Sequence, residues 1–239
     1  MLFSVPTGNF GDILAGWYAK QMGLPVKRFL CASNSNNVLT DFINTGVYDR
    51  NRPFYTTISP SMDILISSNL ERLLFALCGS DTEVSGYMAS LSATGRYEVS
   101  EALRKAVANA FSAGYCDDIA TKAEIRQMWE EKAYLMDTHT AVAYKVLREY
   151  RQATGDNCAA AVVSTASPYK FCDSVLSALG ETSDAPGLER IGLLEAKTAI
   201  QAPAPLRALA GRPVRFTECR QKGEMTDVVE RFLDGSDCM

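Results

Sequence analysis

The chain has 239 residues, 47% of them hydrophobic, enough to bury a sizeable core in one large domain or one domain with an appendage. Lysine and arginine total 24 against 28 acidic residues, and the net charge of −4 argues against nucleic acid or an acidic membrane surface as a main partner. No apolar stretch approaches the ~20 residues that span a bilayer, Met1-Leu2-Phe3-Ser4-Val5 lacks the regions of a signal peptide, and seven scattered cysteines with a single histidine, His139, fit reduced cytoplasmic thiols rather than disulfides or a metal site.

Residues 2–5 are predicted as a short apolar strand, followed by the turn-rich run Thr7-Gly8-Asn9-Phe10-Gly11-Asp12. A helix is expected over Ile13 to Gly23, with Leu14, Trp17, Tyr18 and Met22 at three-to-four spacing. Val26 to Ala32 forms a second strand, closing at the polar loop Ser33-Asn34-Ser35-Asn36-Asn37. Strand, loop, helix, strand indicates a parallel α/β unit. Further helices are expected over 61–79 and 97–111, and Thr121-x-x-Glu124 matches a capping box that would start a helix reaching about Tyr134. A helix from His139 to about Gln152 and a short buried strand over Ala159–Val163 follow. Ser167-Pro168 then places an N-cap and a first-turn proline before a helix ending near Gly180.

Beyond Glu181 the texture changes. Thr182 to Gly187 is linker-like, Ala202-Pro203-Ala204-Pro205 is a second breaker, and a short strand (Val214–Phe216) and a last helix (Thr226–Leu233) complete the chain. The expected organisation is a main portion over 1–180 with an extension, 181–239, packed on it. The chain opens inside a predicted strand, with a phosphate-loop-like motif starting at Pro6, a placement that suggests a piece of a longer protein.

Two loops could carry chemistry. Pro6 to Asp12 lies between a strand and a helix, where glycines admit an anion to backbone N–H groups and the helix dipole favours its charge. The same pattern also serves a plain strand-to-helix turn. Ser164-Thr165-Ala166-Ser167-Pro168 sits at another strand's carboxyl end, the edge where open α/β sheets collect ligands, although capping alone also explains its hydroxyls. Ser59 to Ile64 reads as a loop before a helix, with no chemistry assigned to it. Asp137-Thr138-His139-Thr140 reads as a helix start with a structural histidine, and Lys27-Arg28 as a solvated rim.

Taken in order, Val5–Asp12, Gly23–Phe29, the loop at 34–37, Ser61-Met62-Asp63, Ser68-Asn69, His139–Tyr144 and Thr165–Phe171 resemble the threonine synthases, within the fold-type II group of pyridoxal-phosphate (PLP) enzymes, over roughly residues 3–180. The resemblance implies an α/β fold of the tryptophan synthase β-like kind, with a mainly parallel sheet and flanking helices. It implies conversion of O-phospho-L-homoserine and water to L-threonine and phosphate, with Gly8, Asn9, Phe10 and Gly11 cradling the PLP phosphate and Thr165 against the pyridine nitrogen.

Two departures stand out. Ser167 replaces a histidine often found in the family, and none of the nine lysines is followed by aspartate, so the aromatic-Lys-Asp motif that bonds the cofactor is missing. No catalytic residue is therefore assigned here: the chain alone is expected to be inactive, to hold phosphate or sulfate only, and to self-associate through a surface that an N-terminal part would cover. The alternatives are another fold-type II lyase, such as a serine or threonine dehydratase or a cysteine synthase, or a non-catalytic anion-binding module if Met1 is the natural start.

Overall fold

The computed structural model describes residues 1–215 and 217–235. Its apolar runs form a four-stranded sheet. Strand β1 (Leu2–Pro6) is followed by helix α1 (Gly11–Gln21), strand β2 (Arg28–Ser33), helix α2 (Val38–Thr45) and strand β3 (Val47–Asp49). Next come α3 (Leu70–Cys78), α4 (Asp81–Thr94), β4 (Arg96–Glu98), α5 (Glu101–Ala110) and β5 (Phe111–Tyr115). Helices α6 (Asp118–Lys132) and α7 (Thr138–Thr154), strand β6 (Ala160–Val162), and helices α8 (Cys172–Ala178) and α9 (Glu189–Thr198) follow.

The sheet order is β5-β2-β1-β6 and every pair is parallel, with Val5 opposite Cys31 and Leu2 opposite Ala160. Helices cover both faces, which is why β1 and β2 are nearly continuous apolar runs instead of alternating ones. On one face Phe10, Ile13, Trp17, Phe29, Phe42, Leu73 and Phe111 share a core; on the other, Leu2, Leu30 and Ala32 meet Val142, Ala143, Val146 and Leu147 of α7. Strands β3 and β4 form a separate antiparallel pair, with Tyr48 stacked on Tyr97.

Several local expectations give way to long-range bonds. The stretch 61–79 is not one helix: a 3₁₀ turn spans Pro60–Met62 and α3 starts only at Leu70. Between them Asp63 accepts hydrogen bonds from Asn34, Asn36 and Thr57, the Ser67 N–H donates to Tyr48 Oη, and the Ser68 N–H donates to Asn9 Oδ1. These bonds hold the backbone out of the helix. Residues 97–111 divide into β4, α5 capped by Ser100, and β5, whose Phe111 pairs with Phe29 of β2. Helices α2, α4 and α9 and strands β3, β4 and β5 match no element expected from the sequence.

Helix α6 is capped by Asp117, which accepts from the Ala120 N–H, and not by the Thr121–Glu124 box. Glu124 is instead buried and holds Arg148 of α7 at 2.9 Å. Ser167 does act as a cap, accepting from the Tyr169 N–H at a 3₁₀ turn over Pro168–Lys170 that precedes α8.

The first compact unit runs from Met1 to Ala202, past the boundary drawn at 180, because α9 packs on α8 and Lys197 and Arg190 pair with Glu181 and Asp173. The second unit, from Pro203, contains α10 (Ala204–Arg207), a 3₁₀ turn over Ala208–Gly211 and α11 (Met225–Leu233). Val214 and Arg215 are not in a strand, and Phe216 lies outside the described residues. Among the described residues no helix is long and apolar enough to cross a membrane, and no cluster of metal-ligating side chains occurs.

Candidate functional site

Parallel pairing puts the carboxyl ends of β1, β2 and β6 on one edge of the sheet, and the loops that leave these strands meet there. A cleft of about 190 Å³ lies at this edge, lined by Pro6 to Ile13, Ser61, Met62, His139 and Thr165. The two loops singled out from sequence thus share one cavity, although 150 or more residues separate them in the chain.

The loop after β1 is set by packing. Phe10 adopts a left-handed conformation (φ 64°), uncommon for a non-glycine residue, and its ring is 1% exposed, 5.6 Å from that of Phe111. Burial of the ring holds the strained backbone in place. Gly8 has no room for a side chain: a Cβ would lie 2.9 Å from both Met62 Cα and Ser61 O. Asn9 Oδ1 accepts from the Ser68 N–H and hydroxyl, each at 2.7 Å, and the Asn9 carbonyl accepts from Asn69 Nδ2. With Asn9 Oδ1 and the Phe10 ring so engaged, the loop can offer a ligand its backbone N–H groups and the Asn9 Nδ2, which takes no part in these bonds. Helix α1 starts with no side-chain cap, and its first-turn N–H groups have no acceptor within the helix. This is the arrangement that attracts an anion.

The facing wall was missed by sequence reasoning. Ser61 and Met62 line the cleft, on a segment fastened to the end of β2 by the Asn34, Asn36, Thr57 and Asp63 bonds. The asparagine-rich composition of 34–37 was the available signal, since such residues organise turns through their side chains. His139 is 2% exposed at the start of α7. Its Nε2 accepts from the Ser61 N–H at 3.3 Å, its Nδ1 lies 3.2 Å from Asp137 Oδ1, and its ring lies 4.9 Å from that of Phe171. Burial pushes the Asp137 carboxyl up, but hydrogen bonds from the side chains and amides of His139 and Thr140 outweigh it and hold the group below the ordinary carboxylate value.

Thr165 is exposed to the cleft just beyond β6. Beside it, the Ser164 hydroxyl lies 3.1 Å from that of Thr140. Lys27 and Arg28 contribute nothing here: Lys27 pairs with Asp156 at 2.6 Å, and Arg28 donates to the carbonyls of Ala108 and Phe111.

The molecule is thus an α/β protein with a parallel sheet covered on both faces and a glycine-bearing loop and a hydroxyl-bearing loop at its carboxyl edge, the edge where open α/β sheets collect ligands. Residues 140–232 match the family model "Threonine synthase, C-terminal". The PLP-bound threonine synthase of Brucella melitensis superposes with a TM-score of 0.82 at 37% identity, covering 97% of this chain and 46% of that one. Threonine synthase of Eremothecium gossypii is 39% identical over 197 residues, covering 76% of this chain and 38% of its own length. Human threonine synthase-like 1 is 41% identical over 177 residues, covering 73% of this chain and 23% of its own. The chain belongs to the threonine synthase family. It spans less than half the length of each of these relatives.

Proposed function

We propose that this chain supplies the cofactor-phosphate grip of a PLP enzyme that converts O-phospho-L-homoserine and water into L-threonine and inorganic phosphate. The observation that carries this reading is the single cleft onto which the Gly8–Gly11 backbone, the uncapped start of α1 and Thr165 all open. Phosphate fits here because the Asn9 and Phe10 side chains are turned to other partners and Gly8 leaves no Cβ in the way. The N–H groups of Gly8, Asn9, Phe10 and Gly11 would hold the phosphate, and the Thr165 hydroxyl would serve the pyridine nitrogen. When bound, the cofactor supplies the carbanion stabilisation.

A neutral hydroxyl at that nitrogen, in place of a carboxylate, leaves the ring less protonated and moderates its pull on electrons. None of the nine lysines lies in an aromatic-Lys-Asp motif, and we infer that this chain by itself does not turn over. The match to threonine synthase-like 1 favours a second reading, a related fold-type II lyase with another substrate. A substrate screen on the full-length parent decides between them: threonine formed from O-phospho-L-homoserine supports the first, and turnover only of other amino acids supports the second. On the chain itself, titration with phosphate should move the amide resonances of Gly8 to Gly11; resonances that stay fixed at saturating phosphate would refute the grip.

A further inference from the structure

We propose that His139 is the positioning residue of the cleft: by accepting the Ser61 N–H at Nε2 it holds the Ser61–Met62 backbone in place beside Gly8 and so sets the spacing of the Gly8–Gly11 loop. The inference deepens the phosphate-grip reading and rests on it.

The bond defines the state of the imidazole. A backbone N–H can only donate, so Nε2, 3.3 Å from it, must carry a lone pair. The ring proton then sits on Nδ1, facing Asp137 Oδ1 at 3.2 Å. Asp137 also accepts the His139 N–H at 2.8 Å, so one carboxylate fixes both the start of α7 and the imidazole's tautomer. Phe171, packed against the ring, blocks a change in its tilt. The Ser61–Met62 backbone approaches Gly8 so closely that a Cβ there would lie 2.9 Å from Ser61 O and Met62 Cα, so the position of Ser61 bounds the space in which the Gly8 loop sits. Asp137 Oδ1 and the Thr138 hydroxyl, 3.2 and 3.3 Å from Nδ1, both lie at the Nδ1 side of the ring, which leaves Nε2 to Ser61.

The test uses His139→Asn, which can keep a group near Asp137 but withdraws the acceptor from Ser61, and His139→Gln, which restores an acceptor at the Nε2 position. In His139→Asn the Ser61 amide should exchange with solvent at least about tenfold faster, and the Gly8 and Met62 resonances should move before any ligand is added. Inorganic phosphate should then bind the Gly8–Gly11 loop about tenfold more weakly. His139→Gln should recover most of each effect. An Asn variant with wild-type Ser61 protection and loop resonances overturns the proposal, even if the wild type binds no phosphate, a result that would refute the grip itself. Should the Asn variant fail to fold, nitrogen NMR of the wild-type imidazole remains decisive: a proton found on Nε2 excludes the bond to Ser61.

Discussion

The two loops that share the cleft are built in opposite ways. The Gly8–Gly11 loop is clamped by a buried ring, by backbone contact at Gly8 and by the Asn9–Ser68 bonds. The Ser164–Ser167 loop is half-exposed and is held by hydroxyl contacts and the Ser167 cap. The contrast follows from what each offers a ligand. Backbone N–H groups bind only where the main chain is fixed, so the first loop needs a scaffold. A side-chain hydroxyl rotates to its partner, and the second loop needs only to be placed at the edge of the sheet. Asp137 joins the two, through His139 to Ser61 and through Thr140 to Ser164.

If the first loop is a packed element, breaking its packing should cost most. Phe10→Ala removes a fully buried ring and leaves the strained φ in place, and should destabilise the fold by about 3–5 kcal/mol in urea unfolding. A loss under about 1 kcal/mol would mean that the ring does not hold the loop. Gly8→Ala drives a methyl into the Ser61–Met62 backbone and should cost about 1–3 kcal/mol, and the folded fraction should no longer bind phosphate. Wild-type phosphate binding in this variant would show that the close approach is not needed.

The junction between the loops should appear on acidification. The Asp137 carboxyl is held below its ordinary value, so its stabilisation is complete above the unfolded value of about 4 and is lost as the pH falls through the lower, folded value. Thermal melting from pH 6 downward should therefore fall less steeply below about pH 4 in Asp137→Asn than in the wild type. Identical acid limbs would remove the carboxylate from this role.

The smallest effect on stability is expected in the second loop. Thr165→Val should change the unfolding free energy by no more than about 1 kcal/mol, because water can serve the exposed site, yet it should lower turnover in the full-length parent. Lower melting with unchanged turnover would make Thr165 a turn residue only.

The chain's own order of residues determined its central α/β unit. Apolar runs of strand length, a glycine-bearing turn, capping residues and three-to-four spacing are local signals, and they located β1, α1, β2, α6, α7, β6, α8 and α11, each within a few residues. They also located both cleft loops, because glycines and hydroxyls after a strand mean the same thing wherever that strand is placed. Tertiary structure decided the rest. Phe111, the last residue of the helix expected over 97–111, instead opens strand β5, because it pairs with Phe29 along the edge of β2. Residues 63–69 leave the helix expected there because Asn9, Asn34 and Tyr48, distant in sequence, bind them. His139 read as a structural histidine, and only the fold brings Ser61, 78 residues earlier, to its Nε2. Hydrogen bonds between remote segments leave no period in a sequence, so the wall opposite the Gly8–Gly11 loop could be found only once the chain had folded around it.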